Sequence, residues 1–277
     1  MTISVQNNSS ALLALQNLNR TNDQLGLVQK EISSTLRVGE AKDDPAVWAT
    51  AQGQKHDLDN LGSVTASLNR ASSISDVALA AGQQVIDLLN AMKSTVLTAQ
   101  DSQLTGDARA GLNADFAGML QRISNSVSQA SFDGANLLDG SGGNLRFLAT
   151  ADATQVVTLP AKSLALGGSI ITLSSASTIG TTMSASAVMA QIDASIANVT
   201  SALADIGNQA KLLDAHTKLV ANLSNVLSAG IGDLTNADTA ADSARLAALQ
   251  LQQQLGQQSL SIANTMPSVL LSLFRAN

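Results

Sequence analysis

The sequence predicts a mainly α fold: long antiparallel helices forming a rod, terminal helices of coiled-coil type, and a small β-hairpin tip. Three observations carry this. Apolar residues recur at steps of three and four through most of the 277 residues, the period of one helix face. Both ends carry such stripes, although chain ends are where soluble proteins are usually least ordered. Apolar residues make up 45% of the chain but aromatics only 2%. An interior of Ala, Leu, Val and Ile suits closely packed helices better than a rounded core filled by rings.

The first helix is expected to start near Asn7 to Ser10, whose side chains are suited to capping. Its stripe is Ala11, Leu15, Leu18, Leu25, Val28, Ile32 and Leu36; within it Leu18, Leu25 and Ile32 repeat at the coiled-coil interval. It fades at Val38-Gly39. A charged break follows to Asp44, which with Pro45 reads as an N-cap and a first-turn proline. The helix that opens there carries the only tryptophan, Trp48. From Leu61 through Val64, Leu68, Ala71, Ile74, Ala78, Ala81, Val85, Leu88, Met92 and Thr95 the steps alternate strictly, which predicts one long helix to about Ala99. Thr105-Gly106-Asp107 reads as a turn and a fresh cap. Leu112, Phe116, Met119, Ile123 and Val127 mark a return helix to about Ala130.

Past Ser131 the character changes. Phe132-Asp133-Gly134 and Asp139 to Asn144 are turn chemistry. Leu145 to Phe147, Gln155 to Leu159 and Ser169 to Leu173 read as short strands joined at Asp152-Ala153-Thr154 and Leu166-Gly167-Gly168. Ser174 to Ser186, rich in Ser, Thr and Ala, is expected to be exposed. Helix resumes near Ala187 on Met189, Ile192, Ile196, Val199, Leu203, Ile206, Ala210, Leu213, Thr217, Val220 and Leu227, and is expected to end near Gly230 and Gly232. Thr235 and Asp238 resemble a capping pair for the last helix.

That last helix has no charge from Leu246 to Phe274. Ala248, Leu251, Leu255, Ile262, Met266 and Leu273 keep helical spacing, and Gln250, Gln252, Gln253, Gln254, Gln257 and Gln258 lie between them. A membrane span needs about 20 predominantly apolar residues. These amides interrupt every such window, because burying them unpaired in lipid is costly. Nor is such a helix stable alone in water. It needs a mate, and the stripe at the other end of the chain is the candidate.

Composition also excludes function classes. A net charge of −6 argues against sequence-independent nucleic-acid binding. Without cysteine there is no disulfide and no thiolate metal site. No secretory signal peptide is visible in residues 1–19. His56 and His216 are far apart in sequence and read as solvated helix-face residues. Asp43-Asp44 reads as a cap and a surface salt bridge to Lys42 or Arg37. Gly140 to Gly143 lacks the Lys-Ser/Thr of a phosphate cradle and reads as a hairpin turn. Trp48 reads as a packing residue. No catalytic, cofactor-binding or metal-binding residue is expected.

Four motifs, in order, point to a family. Ile32-Ser33-Ser34-Thr35-Leu36-Arg37-Val38 resembles L-S-S-G-x-R-I, and Ala41-Lys42-Asp43-Asp44-Pro45-Ala46-Val47-Trp48-Ala49 resembles its A-x-D-D-x-A-x-x-A continuation. Phe132-Asp133-Gly134-Ala135-Asn136-Leu137-Leu138 resembles F-N-G-x-x-L-L. Leu260 to Asn264 and Val269 to Arg275 resemble the closing L-x-x-A-N and V-L-x-L-L-R. These are motifs of bacterial flagellins, and the short outer region is most similar to the short alphaproteobacterial type. Thr35 stands where the family usually has glycine, so a continuous helix is expected there in place of a turn.

The resemblance implies a terminal coiled-coil domain of residues 1–38 and 236–277 that lines an inner tube. It implies a rod domain of residues 39–235, with a β-rich tip at about 131–186. It implies a non-enzymatic subunit that self-assembles into the extracellular flagellar filament, with Leu15, Leu18, Leu25, Ile32, Leu251, Leu255, Ile262 and Met266 as assembly residues. Implied partners are itself and related flagellins, the flagellar export apparatus and an export chaperone, and hook-associated and cap proteins, with neither nucleic acid nor membrane. Export without a cleaved signal peptide is implied as well. Ser174, Ser175, Ser177, Thr178, Thr181 and Thr182 are candidates for the O-linked sugars that flagellins often carry. Two other classes stay open: a hook–filament junction protein, and a secreted helical adhesin or signalling coil.

Overall fold

The computed structural model describes the backbone of residues 8–275 and the side chains of residues 8–265. Among the described residues the elements are α1 (Ser9–Ser34), α2 (Pro45–Ala99), α3 (Gly106–Gln129), β1 (Ser131–Phe132), β2 (Ala135–Asn136), β3 (Leu145–Leu148), β4 (Val156–Leu159), α4 (Thr182–Thr235) and α5 (Thr239–Arg275). They form two compact units, residues 1–55 with 227–277 and residues 56–226. These limits lie inside α2 and α4, which run unbroken through them, rather than at the helix breaks near 38 and 235.

In the unit of residues 56–226, the expected stripes are the core. Leu61, Val64, Leu68, Ala71, Ile74, Ala78, Val85 and Met92 of α2 are buried. So are Phe116 and Ile123 of α3, and Ile192, Val199, Ile206, Leu213 and Val220 of α4. At Gly82 the helices come very close: a Cβ there would lie 2.2 Å from Leu203 Cδ2. α3 opens as expected, with the Thr105 side chain accepting from the Ala108 amide.

The tip is built from turns. Asp133 (φ 49°) and Gly134 (φ 75°) are both left-handed, the two-residue turn that matches strand twist, and β1 and β2 pair across it. β3 and β4 pair antiparallel, Leu145 opposite Leu159 and Leu148 opposite Val156. The Asp152 carboxylate closes their loop. It accepts from the Thr150 hydroxyl, then from the Thr154 amide and hydroxyl, which hold its carboxyl below the usual carboxylate range.

Three expectations are corrected here. Ser169 to Leu173 is not a strand; it makes only an isolated bridge, Leu166 to Ile171. Side chains of α4 occupy its backbone groups instead. The Thr172 amide donates to the buried Ser195 Oγ (3.2 Å), and Asn198 Nδ2 donates to the Ser169 and Ile170 carbonyls. α4 starts at Thr182, before Ala187, because Thr181 and Ser184 cap it reciprocally through side chain and amide. It also continues through Gly230 and Gly232 to Thr235, so those glycines are helical, not terminal. The Ser174 to Ser186 run is only partly exposed, since Ile179 and Ala185 are fully buried.

Phe116 is fully buried among these helices. Phe116→Ala is expected to lower the unfolding free energy by about 3–5 kcal/mol. Met183→Ala, at a side chain 83% exposed, should change it by less than about 0.5 kcal/mol. Denaturant melts followed by circular dichroism check both.

Candidate functional site

α1 and α5 come from opposite ends of the chain and pack on each other in the unit of residues 1–55 and 227–277. They run antiparallel. Asn8, which caps α1 by accepting from the Ala11 amide, also donates through Nδ2 to the Ala263 carbonyl at 2.8 Å. Further along, Gln253 Nε2 donates to Asn22 Oδ1 at 2.8 Å. Between these points Gly256 faces Leu18; a Cβ there would lie 3.2 Å from Leu18 Cδ1.

Apart from the charged Glu31 and Asp242, the shielded residues of α1 are Ala11, Ala14, Leu18, Thr21, Leu25, Val28 and Ile32, and those of α5 are Leu246, Leu249, Gln253, Gly256, Leu260 and Ala263. Each set steps by three and four without interruption, the seam of a coiled coil. Val28 and Leu249 are buried outright, and Ala, Gly and Thr on both sides let the backbones approach.

This places the expected assembly residues on different faces. Leu18, Leu25 and Ile32 are in the seam. Leu15 is 42% exposed beside it. Leu251, Leu255 and Ile262 are 58%, 53% and 55% exposed, on the side of α5 turned away from α1. The side chain of Met266 lies outside the described residues, as do those of the closing motif Val269 to Arg275. So α5 has two stripes, and the more hydrophobic one is not the one that binds α1. The seam was missed in the sequence because Gln253, Gly256 and Ala263 dilute it; its signal was the seven-residue spacing of Leu249, Gly256 and Ala263. Also missed was an exposed apolar row on α4: Leu212, Leu219, Leu223 and Val226.

The turns that lead into these helices cap each other. α1 ends at Ser34, and Thr35 is left-handed (φ 58°, ψ 12°), so the turn expected to be lost is kept despite the missing glycine. A β-branched residue there costs about 1–2 kcal/mol. The Arg37 and Val38 amides donate to the Thr235 carbonyl at 2.8 and 3.2 Å, and Ala237 donates to the Thr35 carbonyl at 3.0 Å. Arg37 Nη2 donates to the Leu234 carbonyl. Hence each turn satisfies carbonyls that the other helix end leaves without partners. α5 is capped by Asp238, whose carboxylate accepts from the Ala240 and Ala241 amides; Thr235 instead closes α4, correcting the expected pair.

Asp44 caps α2 by accepting from the Ala46 and Val47 amides. Asp43 pairs with Lys30 at 2.8 Å, not with Lys42 or Arg37, and accepts from the Gly39 and Glu40 amides. Lys30 also contacts Glu40. The Lys30 ammonium first, then the two amides, holds the Asp43 carboxyl below its ordinary value, and Asp43 in turn raises Lys30. His56 is exposed, with its Nε2 near Asn60, and His216 Nε2 bonds the Ala149 carbonyl at 2.7 Å. No group of three metal-ligating side chains occurs among the described residues, and no described helix is long and apolar enough to cross a membrane. In the serine/threonine run the hydroxyls of Ser174, Ser177 and Thr181 are engaged in local turns and the α4 cap. Ser175, Thr178 and Thr182 are exposed.

Comparison with known proteins covers the whole of this arrangement. Residues 5–142 match the bacterial flagellin N-terminal helical region, and residues 189–274 match the C-terminal helical region. The chain is 44% identical to flagellin FljJ of Caulobacter vibrioides over 99% of both chains. It is 30% identical to a flagellin of Brucella melitensis over 98% of this chain and 99% of the relative. Among solved structures, a putative flagellar hook-associated protein from Vibrio parahaemolyticus superposes with a TM-score of 0.59 at 14% identity, covering 70% of this chain and all of the other. Bacillus cereus flagellin gives 0.50 at 17% identity, over 56% of this chain and 88% of that one. At these identities the structures show a shared fold.

The Asp43 pair generates a pH dependence. A carboxylate whose acidity is strengthened by folding stabilises the fold above its unfolded value, about 4, and loses that contribution as pH falls through the lower folded value. Protection of the Gly39 and Glu40 amides from hydrogen exchange is therefore expected to hold above about pH 5 and to fall as the pH drops below about 4. Asp43→Asn should abolish that dependence at these two amides. Exchange measured amide by amide and corrected for intrinsic rates checks it.

Proposed function

The chain belongs to the bacterial flagellin family, and from that premise we propose how its surfaces build a polymer. It is a structural subunit, not an enzyme, that self-assembles into the helical filament of the bacterial flagellum for motility. Residues 1–38 and 236–277 act as the terminal domain that lines the inner tube. Residues 39–235 act as the rod, with the tip at about 131–186 outermost.

One observation carries this reading. After α1 and α5 have satisfied each other, large apolar side chains remain on their outward faces: Leu12, Leu13 and Leu27 on α1, and Leu251, Leu255 and Ile262 on α5. These groups have no use in a lone chain and a clear one in an array, where each is buried against a neighbouring copy. Leu18, Leu25 and Ile32 build the pair; Leu15, Leu251, Leu255, Ile262 and Met266 join pairs to one another. Extended, open-ended contact of this kind gives helical polymers rather than closed rings. The junction protein and the adhesin coil lack this support, since the flagellin match holds at both ends and over nearly the whole length.

The finer partners follow the family. The subunit reaches the extracellular filament through the flagellar export apparatus, with an export chaperone and without a cleaved signal peptide, and meets hook-associated and cap proteins at the filament ends. Among the six candidate hydroxyls, Ser175, Thr178 and Thr182 are the acceptors offered to O-linked sugars, because they are exposed and do not close the local turns.

Three variants test the assembly reading. Deleting Leu246 to Asn277 is expected to leave a cooperative helical melt and no sedimenting polymer. Leu255→Asp should leave the melt of the whole chain unchanged, because Leu255 is exposed in the subunit. A buried leucine is worth about 1.5–3 kcal/mol, so the critical concentration should rise at least about tenfold. Leu249→Asp, in the seam, should destabilise the subunit itself. Normal filaments from the truncated chain would overturn the reading. Loss of the core melt on truncation would make the tail part of an ordinary monomeric bundle.

A further inference from the structure

We propose that Ser34 to Val38 is a two-state joint, and that the α4–α5 turn is the latch that selects its bent state. The bent state is the one described above. Thr35 is left-handed, and the Arg37 and Val38 amides donate to the Thr235 carbonyl. The local sequence, however, is written for a helix. It holds no glycine or proline between Lys30 and Val38, and Thr35 is β-branched, which disfavours the left-handed region. If Thr35 returns to right-handed angles, α1 runs straight on to Val38.

On the α1 side the exchange costs little, because the Arg37 and Val38 amides keep a partner in both states. In the straight state the Arg37 and Val38 amides reach the Ser33 and Ser34 carbonyls, four residues back, as in any helix. What the straight state gives up lies on the other partner. The Thr235 carbonyl loses the Arg37 and Val38 amides, the Ala237 amide loses the Thr35 carbonyl, the Leu234 carbonyl loses the Arg37 guanidinium, and the bridge between Leu36 and Asn236 opens. What it gains is relief of the strain at Thr35. The bent state therefore persists only while the α4–α5 turn is in place. Since that turn is where α5 begins, ordering of α5 bends the end of α1. Arg37 and Leu234, 197 residues apart in the sequence, thus join the two terminal segments through one hydrogen-bonded latch.

Hydrogen exchange at single amides in the soluble, full-length subunit separates this from simple fraying. Thr35→Gly removes the strain and is expected to raise protection at Ala237 about tenfold. Thr35→Ala, a better helix former with the same aversion to left-handed angles, should lower Ala237 protection a few-fold. In all three proteins the Arg37 and Val38 amides stay protected, because they change partner rather than lose one. Loss of protection at Arg37 and Val38 together with Ala237 in Thr35→Ala would overturn the proposal, since it marks fraying. Equal protection of Ala237 in the wild type and both variants would overturn it as well.

Discussion

The structure depends on a seam made of unequal parts. α1 and α5 must come together because neither carries enough charge to remain in water alone, and they do so through Ala11, Ala14, Thr21, Gly256 and Ala263 as much as through leucine. Small residues let two backbones approach. They also leave the large side chains elsewhere, and on α5 these are Leu251, Leu255 and Ile262, facing away from the partner. A pair that packed its largest residues inward would be a finished bundle. This one spends its tight contacts on geometry and leaves much of its apolar surface exposed, the surface proposed above to meet another copy.

The rest of the chain follows the opposite rule. In the unit of residues 56–226, Leu68, Ile74, Leu89, Met92, Phe116 and Ile123 are buried within the subunit. The tip is secured by polar bonds to helices, such as Ser195 to the Thr172 amide and Asn113 to the Ile179 amide. Its ion pairs, Lys93 to Asp193 and Lys162 to Asp205, are largely exposed and contribute little to stability. One unit buries its large apolar side chains within the subunit, and the other leaves many of them exposed. α2 and α4 each run unbroken across the limits between the two units.

Between seam and rod, the two turns solve a single problem. Each helix end leaves carbonyls unpaired, and the two chain crossings lie where each can supply amides to the other. The strained Thr35 is affordable only because that mutual capping over-determines it.

Much was legible in the sequence. The period of apolar residues located the helices. Thr105 and the Asp44-Pro45 pair marked where two of them begin, and Asp133-Gly134 marked a turn, because these signals are local and each residue's own geometry enforces them. What periodicity leaves open is which of two stripes on one helix meets which partner, and Leu255 against Leu249 was such a choice. Ser169 to Leu173 read as strand yet lost its amides and carbonyls to side chains of α4. Thr35 read as helix yet was bent by the Thr235 carbonyl, some two hundred residues along the chain. Sequence by itself therefore determined the elements, the family and the surplus of apolar surface at both ends. Tertiary structure decided how close two helices come and which remote group satisfies an amide, because both depend on atoms that are neighbours only after the chain has folded.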